Sequence, residues 1–425
     1  MNFLRRIEFN FLYRLIRYTG LVGILRLLIG LISQKVIAVY LGAPGLTVLA
    51  NLRNFIEILT SFSSVGAYNG VIAETAADKG GKTYLSFINS TLTLLLGVSF
   101  IMFILLWWQF DWLTSQLFLE IQYHPIIRSL LFAIPLMGLT IVMEAILSGK
   151  KSYKPVANLQ LAINTFTSVS MVLLIYFYGL QGAIIAIVCR PVIGFGLYLT
   201  YFKISRIGTS FLSNFSFDLS QIKSLLPYIS MTVISVGFVQ AIEVWLRYLI
   251  TKEIDISAAG QWTAMNSIST NYFLFISYAF TLYVLPKFSE NNPSFSLFLE
   301  ARSILKILMP VVTIAMVLIY GFRIPITRLL YTEEFVGIAP LYKWQLAADW
   351  FRVVFLVFAY YLVSKKMLLK YFIVEFFSFA VFICFSFLWI DSYGIEGVVM
   401  ANFVRYIGCL ILIVILLFNK PVGYK

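Results

Sequence analysis

Charge is scarce in this chain. Only 12% of its residues are charged and 60% are hydrophobic, whereas an ordinary soluble domain is about 25% charged. That balance excludes a water-soluble globule. Histidine is nearly missing: His124, at a loop edge, is the single one, and a Ser-His-Asp or histidine-based metal site around it would need partners the sequence does not show, so it is not expected to be a functional residue. Cys189, Cys384 and Cys409 are the three cysteines. They fall in apolar runs with neither metal spacing nor a disulfide framework, and they read as small buried hydrophobes. Polar stretches of domain size are also missing, and the longest soluble connection, near 202–224, is too short to enclose a core. No small-residue cleavage site follows Arg5, Arg6, Arg14 and Arg17, so the pattern predicts an uncleaved first helix.

Apolar runs are what the sequence has in plenty. Twelve read as membrane spans, at roughly 18–40, 44–72, 84–109, 125–149, 155–178, 180–201, 225–250, 258–286, 303–322, 339–364, 371–391 and 395–418. The net charge of +13 would suit nucleic acid, but its distribution argues against that partner. With the N-terminus inside, inner connections hold twenty Lys and Arg and outer ones hold three, Lys252, Arg323 and Arg328. This is a positive-inside signal, and it places both termini in the cytoplasm.

The chain also contains itself once, at a shift of 215 residues. Tyr178-Gly179-Leu180-Gln181-Gly182 with Arg190 returns as Tyr393-Gly394-Ile395-Glu396-Gly397 with Arg405. Pro125 and Arg128 match Pro340 and Lys343, Lys150-Lys151 match Lys365-Lys366, and Gly45 matches Gly260. One ungapped shift covers all of these, which predicts two six-helix halves, 1–202 and 225–425, joined by a cytoplasmic linker at 203–224. An even number of spans per half makes the repeat parallel. The expected fold is therefore all-α and polytopic, with twelve helices in two pseudo-symmetric bundles around a central cavity.

Ionisable side chains inside spans are costly, about 2.5–3.5 kcal/mol each on the insertion scale, and they mark pathways or pairs. The first half holds Arg26, Lys35, Arg53, Glu57, Glu144 and Arg190; the second holds Glu243, Arg247, Asp349, Arg352, Glu375 and Arg405. In the stretch ANLRNFIEIL, Arg53 and Glu57 stand one helical turn apart on one face, as expected of a cavity wall whose acid orients the arginine. Arg26 and Lys35 are nine residues apart and so face roughly opposite ways. Glu243–Arg247 and Asp349–Arg352 have ion-pair spacing, and a local pair and a functional role are both open to them. Arg190 and Arg405, at equivalent positions, are expected to share a structural role. Arginine offers planar bidentate bonding to phosphate oxygens, so a cleft lined by it suits an anionic ligand. Glu57, Glu144, Asp349 and Glu375 are the carboxylates available to carry a proton.

Several stretches resemble the Wzx-type flippases for lipid-linked O-antigen and enterobacterial common antigen. These are Lys35-Val36-Ile37-Ala38-Val39-Tyr40-Leu41-Gly42-Ala43-Pro44-Gly45-Leu46, Ala50-Asn51-Leu52-Arg53 and Gly66-Ala67-Tyr68-Asn69-Gly70 near the start. Further along are Ser267-Ile268-Ser269, Tyr283-Val284-Leu285-Pro286, Trp344-Gln345-Leu346 with Asp349, and Tyr371 with Glu375. The likeness is collinear over nearly the whole chain. That family belongs to the multidrug/oligosaccharidyl-lipid/polysaccharide (MOP) exporter superfamily. The resemblance implies a non-enzymatic flippase that moves an undecaprenyl-diphosphate-linked oligosaccharide from the cytoplasmic to the periplasmic leaflet of the bacterial inner membrane. It places the diphosphate at Arg26, Lys35 and Arg53, and coupling or ion-pair roles at Glu57, Asp349, Arg352 and Glu375. No cofactor or metal is expected, though a proton or sodium gradient is a candidate energy source. Membrane lipids, a glycan polymerase and chain-length proteins are the implied partners. Thr270 and Ala73 depart from the common-antigen type and favour an O-antigen substrate. The alternatives are a cation-coupled multidrug or metabolite exporter of the same superfamily, a membrane glycan polymerase and a non-catalytic assembly factor. Short outer loops weigh against the polymerase.

Overall fold

A computed structural model describes residues 2–77, 82–117, 123–205, 218, 237–280, 284, 288, 297–365 and 367–418. Among these residues there are helices and turns and no strand. In hydrocarbon every backbone polar group must be satisfied within the protein, and a helix does this locally. The helices are α1 (Asn2–Ser63), α2 (Tyr68–Ala77), α3 (Lys82–Leu117), α4 (His124–Ser129), α5 (Ile134–Gly149) and α6 (Tyr153–Ile204). They continue as α7 (Phe238–Glu253), α8 (Ile256–Ala279), α9 (Leu297–Gly321), α10 (Arg323–Leu330), α11 (Leu341–Ser364) and α12 (Leu368–Phe418).

Among the described residues seven helical stretches are long and apolar enough to cross a membrane. Three of them run 44, 52 and 49 residues, whereas a span needs about 20. Each of the three is broken by one glycine at positive φ: Gly42 in α1, Gly179 in α6 and Gly394 in α12. Each therefore holds two spans. With α7 and α8, both too polar or too short to be among those seven, the helix count reaches the twelve that the sequence predicts.

The repeat is visible in the backbone. Gly179 has φ 55° and ψ −134°, and Gly394 has φ 56° and ψ −138°, a region nearly closed to side-chain-bearing residues. Three residues on, a Cβ on Gly182 would lie 2.0 Å from the Leu174 carbonyl oxygen, and one on Gly397 would lie 2.5 Å from that of Trp389. Eight residues of straight helix span about 12 Å, so the chain has doubled back at both places. The first glycine of each pair permits the reversal, and the second admits the close approach of the returning helix.

The chain forms two compact units, Met1–Leu41 with Val48–Val244, and Gly42–Thr47 with Trp245–Lys425. The expected linker at 203–224 lies largely outside the described residues. The core of the first unit gathers Val71 of α2, Phe87, Ile88 and Leu95 of α3, Val142 and Ile146 of α5, and Tyr198 and Phe202 of α6. In the second unit α11 packs along α12 and against α9. The tip of the first hairpin also belongs there. Thr47 Oγ1 donates to the Ile256 carbonyl at 2.9 Å, and a Cβ on Gly260 would lie 2.0 Å from the Ala43 carbonyl oxygen. Leu21, Ile24, Leu28 and Ile32 of α1 are exposed at helical spacing, as lipid-facing side chains are.

Cys409 is buried as expected, but Cys189 and Cys384 are exposed. An apolar span fixes that a small residue is tolerated, and lipid is apolar enough to take it from outside. His124 opens α4 and is buried, with Nδ1 3.3 Å from Thr114 Oγ1.

Candidate functional site

A cavity of about 190 Å³ opens within the first unit. Helical spacing builds it. Glu57 and Thr60 come from the second half of α1, and Met137, Thr140, Ile141 and Glu144 from α5. Gln160, Ile163 and Asn164 line it from the first half of α6, and Arg190, Gly194 and Tyr198 from the second. Separations of three, four and seven or eight residues put each set on one helix face. Arg26, from the first half of α1, completes the polar lining.

Four of these side chains form one hydrogen-bonded line across three helices. Arg26 Nη1 donates to Gln160 Oε1 at 2.6 Å, and Gln160 Nε2 donates to Glu144 Oε1 at 2.5 Å. The Tyr198 hydroxyl donates to Glu144 Oε2 at 2.9 Å. The amide of Gln160 thus uses its acceptor on the cation and its donor on the anion, as its chemistry allows. Arg26 and Glu144 neutralise each other through it. Glu57 and Arg190 face the same cavity, both half-buried, and neither has a hydrogen bond or ion pair among the described residues. The cavity holds two guanidinium groups and two carboxylates, so the cation excess of the first half resides in Lys35 and Arg53. Neither of those lines the cavity. Both are half-buried, and Arg53 Nη2 lies 3.8 Å from Met171 Sδ.

The second unit holds a tighter polar cluster. Asp349 of α11 is fully buried. Its Oδ2 accepts from Ser269 Oγ at 2.6 Å, from Gln345 Nε2 at 3.1 Å and from the Tyr272 hydroxyl. Its Oδ1 lies 3.8 Å from Arg352 Nη1, and the Arg352 guanidinium stacks 4.1 Å above Phe273. Asp349 and Arg352 therefore do pair, but α8 supplies the shorter bonds. Glu375 is half-buried on α12, beside Tyr371. At the spaced pair Glu243 and Arg247, Asn54 Nδ2 donates to Glu243 Oε2 at 2.9 Å and Arg247 Nε donates to Thr263 Oγ1 at 3.1 Å.

No family model matches the chain. In sequence it is 25% identical over 383 residues to a lipid III flippase of Escherichia coli strain K12, spanning 89% of this chain and 91% of that protein. Its structure superposes on an inward-facing multidrug resistance MATE family transporter of the MOP superfamily with a TM-score of 0.76, at 15% identity, covering 93% of this chain and 96% of that one. It superposes on the lipid II flippase MurJ in an inward closed conformation with a TM-score of 0.74, at 15% identity, covering 95% and 88%. The chain has the fold of these two transporters.

These relatives are flippases and transporters by name and not enzymes. Within that fold the structure gathers Arg26 and Glu57 around one cavity and Asp349 and Arg352 in a separate cluster. Lys35, Arg53 and Glu375 stand apart from both. Glu144 and Arg190, noted among the span charges, join the cavity, and so do Gln160, Asn164 and Tyr198, which no sequence signal singles out. The shared structural role expected of Arg190 and Arg405 does not hold. Arg405 Nε donates to Ser378 Oγ at 2.6 Å among aromatic rings, whereas Arg190 faces the cavity. Position in a repeat fixes where a residue sits on its helix, not what the facing helix presents.

Asp349 offers a direct stability test. Asp349→Leu would leave three donors, Ser269, Tyr272 and Gln345, without their acceptor, at about 1–3 kcal/mol for each buried group left unsatisfied. Thermal unfolding of the purified chain in detergent is expected to show a large fall in melting temperature for Asp349→Leu. A smaller fall is expected for Asp349→Asn, which keeps an acceptor in place.

Proposed function

We propose that this chain is a flippase for an undecaprenyl-diphosphate-linked oligosaccharide, an O-antigen repeat unit or a related glycan. It carries the headgroup from the cytoplasmic to the periplasmic leaflet of the bacterial inner membrane by alternating access, with both termini in the cytoplasm. One observation carries the reading: the likeness to the lipid III flippase runs along 89% of this chain and 91% of that protein. Arginines within apolar spans fit the chemistry, because a diphosphate needs charge-assisted, bidentate donors once it leaves water. Arg26, Lys35 and Arg53 hold the diphosphate, and the prenyl tail stays in lipid. Glu57, Asp349, Arg352 and Glu375 serve ion coupling or structural pairing, with a proton or sodium gradient as the source of work. A glycan polymerase and chain-length proteins are its expected neighbours.

A second reading is multidrug export, which the superposition on a MATE transporter favours. The two separate in cells that lack their own flippase for a defined lipid-linked glycan. Expression of this chain is expected to restore surface glycan and drain the precursor from the cytoplasmic leaflet. Failure across several glycans, together with raised drug resistance, would replace the flippase reading with the exporter.

A further inference from the structure

Arg190 and Arg405 occupy the same position in the repeat, yet their surroundings are opposite. In the second unit the Arg405 guanidinium lies 5.1 Å from the Phe382 ring, 5.1 Å from the Tyr406 ring and 5.8 Å from the Phe379 ring. Phe379 is the repeat counterpart of Asn164. Where the second unit packs a benzyl group against its arginine, the first presents a carboxamide and a cavity. Arg26 is engaged through Gln160, so Arg190 is the guanidinium of this cavity without a protein partner among the described residues.

We propose that Arg190 and Asn164 form a subsite for a carboxylate-bearing sugar of the transported headgroup, a proposal that rests on the flippase reading for where that sugar comes from. A uronate-type sugar matches what the cavity offers. Its carboxylate accepts from the Arg190 fork and the Asn164 amide, and its hydroxyls donate to the Glu57 carboxyl oxygens. The diphosphate is left to Arg26, Lys35 and Arg53, because beside Arg190 its multiple negative charges would meet Glu57, whose cavity carries no second free guanidinium among the described residues. The size agrees. Drug-sized ligands need about 300–1,000 Å³, whereas about 190 Å³ admits one sugar ring and not an oligosaccharide.

The test uses the full chain purified in detergent, with D-glucuronate, D-glucose and inorganic pyrophosphate as probes in ligand-observed NMR. Glucuronate is expected to bind the native chain, glucose at least about tenfold more weakly, and pyrophosphate is not expected to displace the glucuronate. Arg190→Gln and Asn164→Phe, the second of which imports the plug of the second unit, should each weaken glucuronate about tenfold or more. Phe379→Asn should leave it unchanged. Melting temperatures near native for either weakened variant exclude misfolding as the cause. Unaltered glucuronate binding in Arg190→Gln, equal binding of glucose, displacement by pyrophosphate, or no glucuronate binding to the native chain would each overturn the subsite. Export is scored separately. A chain that binds glucuronate but flips no diphosphate-linked glycan keeps the subsite and loses the flippase reading. One whose Arg190→Gln form exports acidic and neutral glycans equally keeps the flippase and loses the subsite.

Discussion

Arg53→Ala is expected to cut export of the lipid-linked glycan by about ten- to a hundredfold at matched membrane levels. The reasoning is chemical. A hydrogen bond to a charged group contributes about 1.5–3 kcal/mol, and roughly 1.4 kcal/mol is a factor of ten. Arg53 lies well inside its span and is half-buried, outside the cavity where Arg26 is bonded to Gln160. A diphosphate therefore meets Arg53 without first displacing the Arg26–Gln160–Glu144 line. Arg53→Lys keeps the charge but not the planar fork and should fall between native and alanine. The readouts are surface glycan and the precursor pool in the cytoplasmic leaflet. Equal export by native and alanine forms would remove Arg53 from the path of the diphosphate.

Gly182→Leu is expected to abolish folded protein. Its Cβ alone would fall 2.0 Å from the Leu174 carbonyl oxygen, and backbone cannot step aside as a flexible side chain can. Gly397→Leu should behave alike, with 2.5 Å to the Trp389 oxygen. Gly179→Ala separates sterics from conformation. No neighbour stands within 4 Å there, but φ is 55°, so the expected cost is only the strain of that region, about 1–3 kcal/mol. Gly97→Ala, in open space within α3, should be neutral or slightly stabilising. Fluorescence-detected size exclusion after mild solubilisation ranks the four, and a monodisperse Gly182→Leu peak at native yield would refute the close-approach account.

These glycines mark what the sequence exposed well. The pentapeptide beginning at Tyr178 and its copy at Tyr393 announce a repeated backbone event, because chance apolar similarity does not place two glycines three apart at one constant shift. Span positions were equally legible, since runs of that length and hydropathy have few alternatives in water. Neighbours were not. Periodicity gives the face a side chain occupies and leaves open which helix meets it. For that reason Gln160 gave no sign that it would bridge Arg26 and Glu144, and Ser269 and Tyr272 gave none that they would bind Asp349. The exposed Cys189 and Cys384 escaped the reading for a related reason: in a bilayer, apolar and buried are different statements. Arg190 shows the reverse error, in which a matching position was taken for a matching environment.

The seating of the first hairpin tip in the second unit has a consequence for how the chain is made. Ala43 leaves the ribosome more than two hundred residues before Gly260, against which it packs. At about 5–20 residues per second, the tip waits on the order of ten to forty seconds for its partner. The chain passes between the two units at 41–42, at 47–48 and again at 244–245. A nascent first half is thus incomplete by six residues that it already contains, and final closure of its opening hairpin waits until the second half has begun to emerge.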